Sequence, residues 1–143
     1  MYDLRDLIVV GRNAKVHHLV RESDAALTYS KGLEELMSTP AILTLAIQVS
    51  AEAIDEFLPE GYISIGRSIE FEHTAPTKVG MQVTVEATVV EVQPYFVVLD
   101  IRASDESGDI GFGRHRRSIV AQDYFLAGSR QRANFSTNSR AVN

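Results

Sequence analysis

The sequence contains no cysteine and no tryptophan, and only 4 prolines among 143 residues. Without cysteine it can form no disulfide, no thiol nucleophile and no zinc site built on thiolates. No apolar run approaches the roughly 20 residues that a membrane-spanning helix needs. The opening Met1-Tyr2-Asp3-Leu4-Arg5-Asp6 has neither the basic start nor the apolar stretch of a secretion signal, so cytoplasmic residence and no membrane partner are the expectation. Basic charge is also scarce, with 14 Lys and Arg against 19 Asp and Glu for a net −5. Three of those bases, Arg130, Arg132 and Arg140, fall in the last 18 residues, which hold no acid, leaving residues 1–125 at −8. Phosphate backbones need a basic face, so a nucleic-acid partner is not expected. A small anion held by a few local arginines remains compatible. There is no Gly-rich phosphate loop, G-x-S-x-G elbow or H-E-x-x-H pair, and no metal site is expected.

What the chain does have is the makeup of one soluble domain: 45% hydrophobic and 23% charged residues. Residues 1–125 read as the domain. Residues 126–143, which include Gly128-Ser129-Arg130-Gln131-Arg132, are polar and aperiodic and read as a frayed tail. Lys15 to Val20 suits a strand, with Asp6 to Val10 as an earlier strand or part of the same one, and Arg21 to Met37 reads as a loop with room for a short helix. Thr39 is the candidate N-cap of a helix over Pro40–Leu58, with proline at the favoured first position. Thr44, Gln48, Glu52, Asp55 and Glu56 form its polar stripe. The first three turns are otherwise apolar or small, which predicts burial on most sides. Four strand-like segments follow: Tyr62–Glu72, Met81–Val92, Tyr95–Ala103 and Ile110–Gln122. The second alternates strictly, as a half-buried antiparallel strand does. One strand, one long helix and four strands joined by short turns predict an α+β fold with a five-stranded antiparallel sheet. A single such sheet leaves an edge exposed, so at least a dimer is expected.

Two residues stand out chemically. His73 lies where a strand meets the Pro-containing turn of Glu72-His73-Thr74-Ala75-Pro76-Thr77, a place from which an imidazole can reach a cleft and move protons near neutral pH. Thr39 sits at a helix start, where the positive dipole end polarises a carbonyl oxygen and a hydroxyl can attack it or position water. Each also has a purely structural reading, as a hydrogen-bonded histidine and as a cap. Arg114, His115, Arg116 and Arg117 form the one dense basic cluster, with alternate members on opposite faces of a strand; either a solvated face or a phosphate contact through Arg116 or Arg117 fits it. His17 and His18 point opposite ways on a strand and are assigned no role.

Three segments in the same order carry a family resemblance: Ser38-Thr39-Pro40-Ala41 before an apolar helix; Gly61 to Gly66 with His73-Thr74-Ala75-Pro76-Thr77-Lys78-Val79-Gly80; and Gly111-Phe112-Gly113-Arg114-His115-Arg116-Arg117. Together they resemble the fluoroacetyl-CoA thioesterase-like branch of the hotdog superfamily, over roughly residues 15–125. The resemblance implies a hotdog fold, with the sheet wrapped around the helix, and a homodimer or tetramer with its site between subunits. It implies hydrolysis of a small acyl-CoA thioester, with coenzyme A as part of the substrate and no other cofactor. Thr39 and His73 match the family's catalytic threonine and histidine. The family's helix glutamate falls at Ile47, which can neither activate water nor assist Thr39. Gln48, next to it, points about 100° away around the helix. Ile47, Gln48 and Gly66 are carried as substrate-lining positions, and Arg117 as a contact near the CoA end. The loss at Ile47 supports an alternative, a binding protein that keeps the acyl-CoA pocket and has lost hydrolysis.

Overall fold

The computed structural model describes residues 2–26 and 31–142. Strand β1 (Asn13–Leu19) precedes helix α1 (Thr39–Ile54), which is followed by β2 (Tyr62–His73), β3 (Gln82–Val92), β4 (Phe96–Asp105), β5 (Gly108–Ala121) and helix α2 (Gln122–Val142). The strands form one antiparallel sheet in the order β1-β3-β4-β5-β2. This is the α+β architecture expected from the element order.

Period-two patterning builds the core. Val83, Val85, Ala87 and Val89 of β3, and Val97, Leu99, Ile101 and Ala103 of β4, all point to one side and are buried. Against them α1 sets Ile42, Leu45, Ala46, Val49 and Ala53. Each of the large side chains contributes about 1.5–3 kcal/mol by leaving water. Ala46 and Ala53 let the helix lie close to the sheet, and the buried Ser50 hydroxyl donates to the Ala46 carbonyl at 2.7 Å.

Several sequence expectations need correction. Asp6–Val10 is not a strand: a 3-10 turn at Leu4–Asp6 buries Leu4, and the segment then turns into β1. The Arg21–Met37 stretch holds a 3-10 turn at Glu22–Asp24, and residues 27–30 of that stretch lie outside the described residues. α1 ends at Ile54, with Asp55–Phe57 tightening into 3-10 geometry. It is not buried all round. Thr44, Ile47, Gln48 and Glu52 face outward, and Ile47 is 38% exposed. The apolar excess on that face has no partner among the described residues. The segment after Ala121 is helical rather than frayed. Its described side chains, Gln122 to Ser136, are all exposed, so the helix buries little against its own chain.

Candidate active site

α1 starts one residue earlier than the sequence suggests. Ser38, not Thr39, is the cap: its Oγ accepts the Ala41 N–H at 3.2 Å, Thr39 takes the first helical position and Pro40 the second. This frees the Thr39 hydroxyl from capping. The hydroxyl lies 2.8 Å from Nδ1 of His73, at the end of β2.

Local sequence explains why these two meet. The Ser38 N–H donates to the Asp24 carbonyl and the Met37 N–H to the Thr77 carbonyl, each at 2.8 Å, which anchors the helix start to the turn after His73. Thr77 is fully buried and donates from Oγ1 to Asp105 at 2.7 Å. The Thr74 N–H bonds the Ile110 carbonyl at 2.8 Å. The His-x-Ala-Pro-Thr segment is therefore tied to β4, to β5 and to the residue before the helix cap. Thr77 is a positioning residue that the sequence reading missed; a threonine after proline carries no chemical signal of its own. Gly111 and Gly113 finish the job. A Cβ on Gly113 would overlap the Glu70 carbonyl oxygen, and one on Gly111 would overlap the Phe71 ring, so only glycine lets β2 lie against β5 up to His73.

Burial pushes the His73 pKa below its ordinary value of 6.5, partly opposed by the Ala75 backbone beside the ring. The neutral ring is thus favoured, and neutral Nδ1 can accept the Thr39 proton. In that tautomer Nε2 carries a hydrogen. That atom is buried and has no partner among the described residues. Thr39 and His73 line a cavity of about 430 Å³ together with Ala26, Leu33, Leu36, Met37, Ala75 and Pro76.

The other predicted site residues lie elsewhere. Ile47 and Gln48 are on the outer face of α1 and do not line this cavity. Gln48 borders a separate cavity of about 390 Å³ on the other flank of Pro40, with Thr44, His18 and Asp24. There His18 Nε2 lies 2.8 Å from the Asp24 carboxylate. Burial opposes ionisation of Asp24, yet its bonds with the Arg21 N–H and His18 together hold it below the ordinary carboxylate range. The His18 contact was not legible locally because its partner follows six residues later, around a turn.

Arg117 is only 6% exposed and sits by Asp55, at the opposite end of α1 from Thr39. Its Nε and one terminal nitrogen donate to the Ser64 hydroxyl (3.0 Å) and carbonyl (2.9 Å), and its other terminal nitrogen lies 3.2 Å from Nε2 of His115. His115, 2% exposed, donates from Nδ1 to the Ser68 carbonyl, and burial holds its ring below the ordinary histidine pKa. Gly66 makes room for this pair: a Cβ there would come within 3.2 Å of the imidazole. Within the single chain Arg117 and Gly66 serve packing around a buried cation. Arg114 and Arg116 face outward on the same strand, against Asp100 and the Phe96 ring. Among the described residues no group of three or more His, Asp or Glu is placed to hold a metal ion, and no helix is long and apolar enough to cross a membrane.

A five-stranded antiparallel sheet around one long helix is the hotdog fold, the class in which thioesterases of this kind are found. Comparison with known proteins agrees. The family model described as fluoroacetyl-CoA-specific thioesterase matches residues 20–123, and the chain belongs to that family. It is 30% identical over 124 residues to the fluoroacetyl-CoA thioesterase of Streptantibioticus cattleyicolor, covering 87% of this chain and 86% of that one. Among solved structures, a hot-dog-like protein from Thermanaerovibrio acidaminovorans superposes with a TM-score of 0.87 at 35% identity, over 91% of this chain and 96% of that one. A single-residue mutant of the fluoroacetyl-CoA-specific thioesterase superposes at 0.80 with 25% identity, over 87% and 97%.

Proposed function

We propose that this chain hydrolyses the thioester bond of a small acyl-CoA, with Thr39 and His73 as its catalytic residues. The observation that carries the reading is the 2.8 Å bond between Thr39 Oγ1 and His73 Nδ1, made by a threonine that the helix does not need as its cap. The thioester carbonyl lies at the N-terminus of α1, where the helix dipole favours negative charge on oxygen. Neutral His73 takes the Thr39 proton as Oγ1 attacks the carbonyl carbon. The C–S bond breaks and the CoA sulfur leaves with that proton. Water, deprotonated by the same imidazole, then releases the acid and restores Thr39. The alternative role for Thr39, holding the attacking water for His73, uses the same geometry. Coenzyme A enters as part of the substrate.

The working unit in this reading is a homodimer in the cytoplasm, with tetramers compatible. Supporting the dimer, β2 is 12 residues long and among the described residues pairs only with β5, leaving its other edge open, and the outer face of α1 presents Ile47. A dimer on this edge would border the Thr39–His73 site.

One observation favours a second reading, an acyl-CoA-binding protein without hydrolysis: at the family's glutamate position the side chain is Ile47, which carries no base. Release of free CoA from a panel of acyl-CoAs separates the two. Removing a general base costs about 10²–10⁴ in rate. A measurable wild-type rate that falls by at least about 100-fold in both Thr39→Ala and His73→Ala is the expected result. Binding of acyl-CoA with no release from any member of the panel would leave only the binding protein.

A further inference from the structure

The cavity beside Thr39 and His73 also bears on the acyl group, if a thioester carbonyl sits against that pair as proposed above. Among the described residues its remaining wall is otherwise apolar, with Ala26, Leu33, Leu36, Met37, Ala75 and Pro76 on it and Ser38 and Thr74 as the further polar side chains. Among the described residues no charged or amide side chain lines it. The Ser38 oxygen is already engaged with the Ala41 N–H. A hydroxyl or carboxylate on the acyl chain would lose water there and gain little in return. At roughly 30 Å³ per water-sized group, an acetyl group fills only a small part of about 430 Å³. The cavity across Pro40 has the opposite character, with His18, Asp24, Thr44 and Gln48 on its wall. A hydrocarbon chain is therefore favoured in the first cavity and not in the second.

We infer that the acyl group is an unsubstituted hydrocarbon chain of about four to eight carbons, straight or branched, seated on Leu33, Leu36 and Met37. Each methylene added within that range tightens binding by roughly fourfold through burial alone. The chain class differs from the fluoroacetyl group named for the relatives.

Non-hydrolysable thioethers test this independently of catalysis. Titration calorimetry of the full chain with S-ethyl-, S-butyl-, S-hexyl- and S-octyl-CoA, beside S-(3-hydroxybutyl)-CoA, gives a slope of affinity against length, and release of CoA is followed for the matching acyl-CoAs. The expected result is about a fourfold gain per methylene from ethyl to octyl, with the hydroxylated chain weaker than butyl. Leu33 is 40% exposed, so Leu33→Asn should fold normally. It should cut the hexyl-to-ethyl affinity ratio by roughly fivefold or more, consistent with an apolar wall. A flat or reversed slope overturns the inference, and so does an unchanged slope in Leu33→Asn. A flat slope with good hydrolysis removes the acyl class and leaves the thioesterase reading. A clear slope without hydrolysis does the reverse.

Discussion

Thr39 and Ser38 divide one task that a single residue often does. Ser38 satisfies the helix start, and Thr39 is left to meet His73. The division depends on a one-residue shift in the helix boundary, and so it is a property of the folded chain. It also sets a pH dependence. Burial keeps the folded-state pKa of His73 below 6.5, so the neutral ring persists at pH values where a free histidine is half protonated. Activity that needs Nδ1 as an acceptor should hold at pH 6.5 and fall only as pH drops through the lowered value. A profile of kcat/KM against pH checks this, and an acid limb centred at or above 6.5 would contradict it. Stability has the same sign. The unfolded chain binds this proton more readily, so His73 makes the folded state lose stability as pH falls below 6.5. Arg117 teaches a different lesson. An arginine in a basic cluster reads as either a solvated face or a phosphate contact; the alternation of β5 turns this one inward with His115, onto Ser64.

At the scale of elements, the end of β2 is held in place by what β5 omits. Gly111 and Gly113 leave space for Phe71 and the Glu70 carbonyl, and His73 follows directly. Gly113→Ala should cost about 1–3 kcal/mol, as overpacking does, and should lower hydrolysis by displacing His73. Gly128→Ala is the matched control. Nothing lies within 4 Å of a Cβ at Gly128, and alanine suits a helix interior, so the melting temperature should not fall. Thermal unfolding of both variants, together with activity, decides the point; equal melting temperatures would refute the close-packing account. α1 shows where a pattern misleads. Leu43, Ile47 and Ala51 make its apolar content nearly circumferential, yet the sheet covers one side only.

For the whole molecule, the described side chains of the last helix add little to the core of the body. The core lies between α1 and the inward faces of β3 and β4, while Tyr124 and Phe135 on α2 are 85% and 74% exposed. Removing residues 123–143 should therefore leave the unfolding midpoint within about 2 °C, since surface changes away from the core stay within about 0.5 kcal/mol. The truncated chain should keep the oligomeric mass of the full one, because the open β2 edge is intact. Calorimetry with light scattering measures both. A large drop in midpoint, or a change in mass, would show that α2 covers part of the assembly.

Much of this was determined by the sequence alone. Alternation from Gln82 to Val89, which slips at the Val89–Glu91 bulge, the proline at the head of an apolar run at Pro40, and glycine turns at Gly80 and Gly108 fix strands, helix and corners through local sterics and side-chain period. The types and spacing of Thr39 and His73 made them candidates. Only the tertiary structure decided that they touch, since they are 34 residues apart and meet through Thr77, Gly111 and Gly113. It alone placed Ile47 on an open face and Arg117 inside. It also paired His18 with Asp24. Those outcomes depend on which side of a helix or strand the sheet covers, and on close approach between segments distant in sequence. No local pattern encodes either.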